Sequence, residues 1–210
     1  MLDKRAILKR RMDNNQEATM KATFVLLANS EVHNFIRKLT WDIHQKYRTG
    51  TRHAALPPHI SLKQPFRIPN LPAVEEYMDE LADSIQPFEA TLTELQAVPM
   101  LFDGTEYGIL WAAIEETEIL RSLHNRLNRD LSQRFGDTAA EFDGENYRFH
   151  MSVMMCGHLM DICRKYRDEI QYSKLNLRYT AHELAMFIYD EPIGPHSDQL
   201  CYKILPLGKG

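Results

Sequence analysis

The stretch His59-Ile60-Ser61-Leu62 returns 91 residues later as His150-Met151-Ser152-Val153. Each reads His-x-Ser-aliphatic inside a run with the character of a buried strand, His59 to Phe66 (HISLKQPF) and Tyr147 to Met155 (YRFHMSVMM). Successive side chains of a strand point to opposite faces. His and Ser two apart therefore share one face, while Ile60 and Leu62, or Met151 and Val153, turn toward a core. The chain presents the same device twice: an imidazole and a hydroxyl side by side on a rigid strand. Two imidazoles brought to one phosphate make a general acid and a general base, because histidine's ordinary pKa of about 6.5 lies near the working pH.

The surroundings of the two motifs also repeat. Thr19 to Ala28 (TMKATFVLLA) is a β-rich apolar run. Asn29-Ser30-Glu31 signals a helix start, and Val32, Phe35, Ile36, Leu39 and Ile43 give helical spacing as far as Tyr47. A loop with breakers, Arg48 to Pro58, leads to the first motif strand, and Pro69-Asn70-Leu71-Pro72 opens a helix running to about Ile85. Phe88 to Val98 and Tyr107 to Ile114 read as two strands of a hairpin around Asp103-Gly104. A long helix spans Glu118 to Phe135, marked at its end by Gly136. A polar loop with Asp143-Gly144, the second motif strand and a helix from Met160 to Ile170 come next. Leu175 to Tyr189 and Gln199 to Leu207 supply the last strands, around a Pro192-Ile193-Gly194-Pro195 turn. Strand, helix, loop, motif strand and helix thus occur twice. This order predicts an α+β fold: two pseudo-symmetric lobes, each an antiparallel sheet with flanking helices, enclosing a central cleft. Residues 1–18 read as an N-terminal extension carrying Lys4, Arg5, Lys9, Arg10 and Arg11, and 19–210 as one bilobal domain.

Composition narrows the partners. A net charge of −4 argues against a broad basic nucleic-acid surface and leaves room for a pocket that grips one phosphate. No apolar run approaches the roughly 20 residues that span a bilayer, so no membrane partner is expected. Three cysteines suit free thiols in a reducing cytoplasm. Cys156, His158 and Cys163 resemble part of a metal set but lack a fourth ligand at a convincing spacing, and no metal or other cofactor is assigned. No protein partner can be inferred.

On these two motifs and the spacing between them, the chain resembles the two-histidine (2H) phosphoesterase superfamily, which includes 2′-5′ RNA ligase and cyclic phosphodiesterase proteins. The resemblance covers about residues 20 to 207, and HISLKQPF fits the family's first motif strand well. It implies a LigT-like two-lobed fold, no metal requirement, and action on 2′,3′-cyclic or 2′-5′-linked phosphates of nucleotides or RNA ends. Both motifs carry Ser where many members have Thr, and the hydroxyl is kept.

His59 and His150 are the candidate catalytic pair, the choice of acid and base being open between them. Ser61 and Ser152 are candidates to donate to the non-bridging phosphate oxygens. Parity adds Lys63, two beyond Ser61, and Arg148, two before His150, as candidate phosphate cations. Tyr147 and Phe149 point the other way by parity and are expected in the core, while Phe66 is a candidate to stack on a base. His33, His44 and His124 fall in predicted helices as surface or packing residues. The same acid–base pair can run in reverse as a ligase. The alternatives are a non-catalytic nucleotide or RNA-end binder, and a phosphoesterase or esterase of a small non-RNA substrate such as a cyclic phosphate of ADP-ribose.

Overall fold

The computed structural model describes residues 20–102, 104–157, 160–170, 174–190 and 198–208. The N-terminal extension, the Pro192–Pro195 turn and His158 lie outside them. Strand β1 (Met20–Leu27) is followed by helix α1 (Ser30–Tyr47), whose start is capped by Asn29: its side chain accepts the Val32 N–H at 2.9 Å. Val32, Ile36, Thr40 and Ile43 are the buried stripe of α1. After a 3₁₀ turn at Arg52–Ala55 come β2 (His59–Ser61), β3 (Phe66–Arg67) and α2 (Leu71–Ser84), the last capped by Asn70. The hairpin is β4 (Phe88–Phe102) and β5 (Thr105–Ile114), and α3 runs from Glu118 to Phe135 behind a Thr117 cap. The remaining elements are β6 (His150–Gly157), α4 (Met160–Glu169), β7 (Lys174–Ala181), β8 (Glu183–Asp190) and β9 (Gln199–Pro206).

Two antiparallel sheets result, as the sequence predicts for an α+β fold. One has the order β2-β1-β8-β9, with β3 added to β1, and the other β6-β5-β4-β7. Each motif strand lies at the edge of its sheet, and β2 packs against β6. The sheets do not divide the chain at its middle. Leu175 to Tyr189 contains two strands, β7 in one sheet and β8 in the other, with His182 alone between them. Strands β8 and β9 thereby carry the chain's end back to β1.

The first motif strand is shorter than the sequence suggests. From Val25↔Ser61 to Ala22↔Phe66, β1 advances three residues while the facing segment advances five. Leu62 still donates to the Phe24 carbonyl oxygen at 2.9 Å, and the pairing breaks over the next three residues, of which Pro65 has no N–H to offer. The strand-face alternation beyond Leu62 is lost with it.

A large core draws buried residues from both sheets and all four helices, among them Phe24, Leu26, Ile60, Met151 and Val153. Tyr147 and Phe149 belong to it as expected, and so does Phe66, which is 2% exposed and offers no face to a ligand. On the opposite face of the first sheet, Val25, Leu27, Leu56, Ala185, Phe187 and Tyr189 form a smaller cluster. Helix α4 packs against β5 at Gly108, where an added Cβ would lie 2.7 Å from the Met160 Cα. Only a residue without a side chain lets the helix backbone approach this closely.

Candidate active site

Alternation holds within both motif strands. Ile60, Leu62, Met151 and Val153 are fully buried, while His59, Ser61, His150 and Ser152 are half-buried on the other face. His59 lies opposite Leu27 and Ser61 opposite Val25; His150 lies opposite Ala113 and Ser152 opposite Trp111. Because β2 and β6 pack together, the two His-Ser pairs meet where the sheets do.

The imidazoles are oriented by the same local device. His59 Nδ1 is 2.8 Å from the Pro57 carbonyl oxygen, and His150 Nδ1 is 2.8 Å from that of Arg148, in each case two residues upstream. A carbonyl only accepts, so Nδ1 is the donor in both rings. In the neutral ring Nε2 is then a base, and in the charged ring it is an acid. Either proton-transfer role is open at the atom that faces away from the strand.

The environments of the two rings differ. His59 stands edge-on to Phe187, with centroids 4.6 Å apart at 82°, at the border of the apolar cluster on its sheet. Burial there holds it well below the ordinary imidazole value, at about 4, with the Pro57 carbonyl opposing and positive charge on His150 and Arg37 adding to the fall. The two rings are therefore close enough that charging one disfavours charging the other. His150 stacks flat on Trp111, with centroids 4.1 Å apart at 24°. It too is held below the ordinary value, by burial first and then by the Arg148 guanidinium, its carbonyl contact opposing.

Comparison with known proteins decides the family. The model of the 2′-5′ RNA ligase superfamily matches residues 29–192, most of the chain and both motifs. The chain belongs to the 2′-5′ RNA ligase superfamily. Among solved structures it is similar to TT0787 of Thermus thermophilus, at 13% identity and a TM-score of 0.60, covering 90% of this chain and 98% of that one. It is also similar to E. coli LigT complexed with NADP+, at 16% identity and a TM-score of 0.54, covering 91% and 99%. The complex of LigT with 3′-AMP gives 15%, 0.53, 90% and 99%. At these identities the likeness is one of fold, and it is the LigT-like fold that the sequence implies. No curated protein matches the chain. Among the described residues no helix is long and apolar enough to cross a membrane.

Against this superfamily fold, the two candidate cations part ways. Arg148 is exposed on the cleft face, its Nη2 donating to Gln96 Oε1 at 2.8 Å and its guanidinium 5.4 Å from the Trp111 ring centroid. Lys63 does not line the cleft, contrary to the parity argument. With the pairing broken after Leu62, its side chain turns inward and is 0% exposed. There its ammonium donates to Asn128 Oδ1 at 2.8 Å and pairs with Asp143.

That buried pair belongs to a clip between the two motif segments. Asp143 Oδ1 also accepts the Gln64 N–H at 3.0 Å. His124, buried on α3, bonds Leu62 O through Nδ1 at 2.8 Å and accepts the Gly144 N–H at Nε2 at 3.0 Å. The Tyr147 hydroxyl donates to Ser61 O at 2.9 Å. The loop that enters the second motif is thus tied, bond by bond, to the segment that leaves the first.

Several residues at the site carry no signal that the sequence reading picked up. Trp111 lies opposite Ser152 and Gln96 opposite Trp111 in the register of the second sheet, while Phe187 meets His59 by ring contact. His53 reaches from the Arg48–Pro58 loop to the Val153 carbonyl oxygen at 3.1 Å, an acceptor shared with Thr40 Oγ1 at 2.8 Å.

Proposed function

We propose that the protein is a phosphoesterase that opens 2′,3′-cyclic phosphates or cleaves 2′-5′ linkages at nucleotide or RNA ends, with His59 and His150 as its acid–base pair. One observation supports this reading most directly: two half-buried imidazoles, each held at Nδ1 by the carbonyl two residues before it, stand on the edge strands that pack together where the sheets meet. In-line attack of water on the phosphorus needs one group to take the water's proton and another to protonate the departing ribose oxygen. His59, which burial keeps neutral down to about pH 4, is taken as the base and His150 as the acid, since a charged ring gains from lying flat on the Trp111 face. Ser61 and Ser152 donate to the non-bridging oxygens, where charge grows in the transition state. Arg148, at the rim, adds positive charge. Both proton transfers come from side chains, so we expect turnover to persist in EDTA. A protein that merely bound nucleotides would have no need of two imidazoles so matched.

The pH dependence tests the assignment. Catalysis needs His59 neutral, which holds above about pH 4, and His150 charged, which holds only below its depressed value. The profile of kcat/KM, which reports the free enzyme, is therefore expected to be bell-shaped with its alkaline limb below pH 6.5. A bound phosphate anion favours both imidazoliums, so the profile of kcat shifts to higher pH. The limbs belong to the coupled pair. Steady-state rates on 2′,3′-cyclic AMP between pH 4 and 9 measure both profiles, and a flat kcat/KM across that range contradicts the assignment.

A further inference from the structure

Strand β7 pairs with β4 only along Phe88–Glu94. From Leu95 onward β4 has, among the described strands, a neighbour on its β5 side alone. At this notch a groove of about 530 Å³ opens, within the size range of small-ligand sites. Gln96 joins it to the candidate active site. Its Oε1 accepts both from Arg148 Nη2 at 2.8 Å and from Trp111 Nε1 at 3.1 Å, and Trp111 is the ring on which His150 stacks.

Two guanidinium groups line the groove, Arg148 from the approach to β6 and Arg167 from α4. Arg167 lies 2.7 Å from Asp168 in a pair whose side chains are 37% and 63% exposed, a tie that is weak in water and easily exchanged. The planar donor fork of arginine matches phosphate oxygens in pairs. Glu94 lines the same groove, bonded to Gln96 Nε2 at 2.6 Å. Its carboxylate repels a phosphate and accepts from a hydroxyl, so the groove suits alternating phosphate and ribose rather than an isolated anion.

We propose that this groove takes the phosphodiester and ribose next to the reacting nucleotide, so that the preferred substrate is the end of a ribonucleotide chain rather than a free cyclic mononucleotide. The proposal rests on the phosphoesterase reading. Arg148 serves the side nearer His150 and Arg167 the far side. The chain's net charge of −4 makes this a local grip on one or two phosphates, not a surface for long polyanions.

Steady-state hydrolysis of 2′,3′-cyclic AMP and of a triadenylate ending in a 2′,3′-cyclic phosphate tests it, on wild type, Arg167→Gln and Arg167→Lys. Wild type is expected to favour the triadenylate in kcat/KM by about tenfold, the equivalent of one good charge-assisted contact. Arg167→Gln is expected to remove most of that preference through KM, and Arg167→Lys to restore part of it. The KM of the triadenylate should also rise more steeply with salt. Equal losses on both substrates, or no loss on either, overturn the groove assignment and leave the phosphoesterase reading in place. Turnover by wild type of neither substrate, nor of a 2′-5′-linked diadenylate run beside them, refutes the phosphoesterase reading itself.

Discussion

His59→Ala and His150→Ala are each expected to lower kcat for cyclic phosphodiester hydrolysis by about 10²–10⁴-fold, the range for removing one general acid or base. The two losses should not multiply. Once one proton-transfer partner is gone the other has little left to assist, so the double variant is expected near the worse single variant. Both rings hydrogen-bond at Nδ1 to a neighbouring carbonyl and touch an aromatic ring. The variants therefore need a thermal melt beside the kinetics. A variant that melts with wild type and has lost turnover locates the loss in chemistry. Full activity in either alanine variant contradicts the pairing of these two residues.

Asp143→Ala is expected to destabilise the fold by about 3–5 kcal/mol, because it leaves the Lys63 ammonium, 0% exposed, without its counter-charge. For a chain of this size that corresponds to a fall in Tm of roughly 10 °C. Lys63→Met with Asp143→Leu removes both charges together, and most of the lost stability should return, since apolar pairs of similar volume commonly match or exceed a buried ion pair. Chemical denaturation of wild type, Lys63→Met, Asp143→Leu and the double variant closes the cycle. An Asp143→Ala protein as stable as wild type would contradict the burial of the pair. The cycle also separates structure from substrate binding: were Lys63 a phosphate contact, the double variant would regain stability and still bind substrate poorly. With Lys63 buried in the clip, substrate KM in the double variant is expected to stay near that of wild type.

The fate of Lys63 marks where the sequence was legible and where it was not. His59, Ser61, His150 and Ser152 were readable because alternation is a local rule, valid wherever the ladder continues. It failed two residues beyond Ser61, where the ladder had already ended. The end of the long helix from Glu118 to Phe135 was legible in Gly136, whereas its Thr117 cap emerged only with the structure. Trp111 was readable as a strand residue but not as the floor beneath His150. That depends on which residue of β5 faces Ser152, and a register shift between Leu110 and Trp111 sets it. The passage of the chain between sheets at His182 was equally hidden, since an apolar strand reads the same in either sheet. His124 gave the signal of a helix residue and no hint of its two bonds to segments on either side of it. Pairwise tertiary contacts of this kind have no local pattern.

Whether two imidazoles act on one phosphate is read by following 2′,3′-cyclic AMP by ³¹P NMR with wild-type protein in EDTA. The cyclic phosphate resonance is expected to be replaced by that of a single phosphomonoester, 2′ or 3′ but not both, because a fixed acid can reach only one leaving oxygen. A cyclic phosphate that persists unchanged, or a mixture of the two monoesters, would contradict the two-imidazole mechanism.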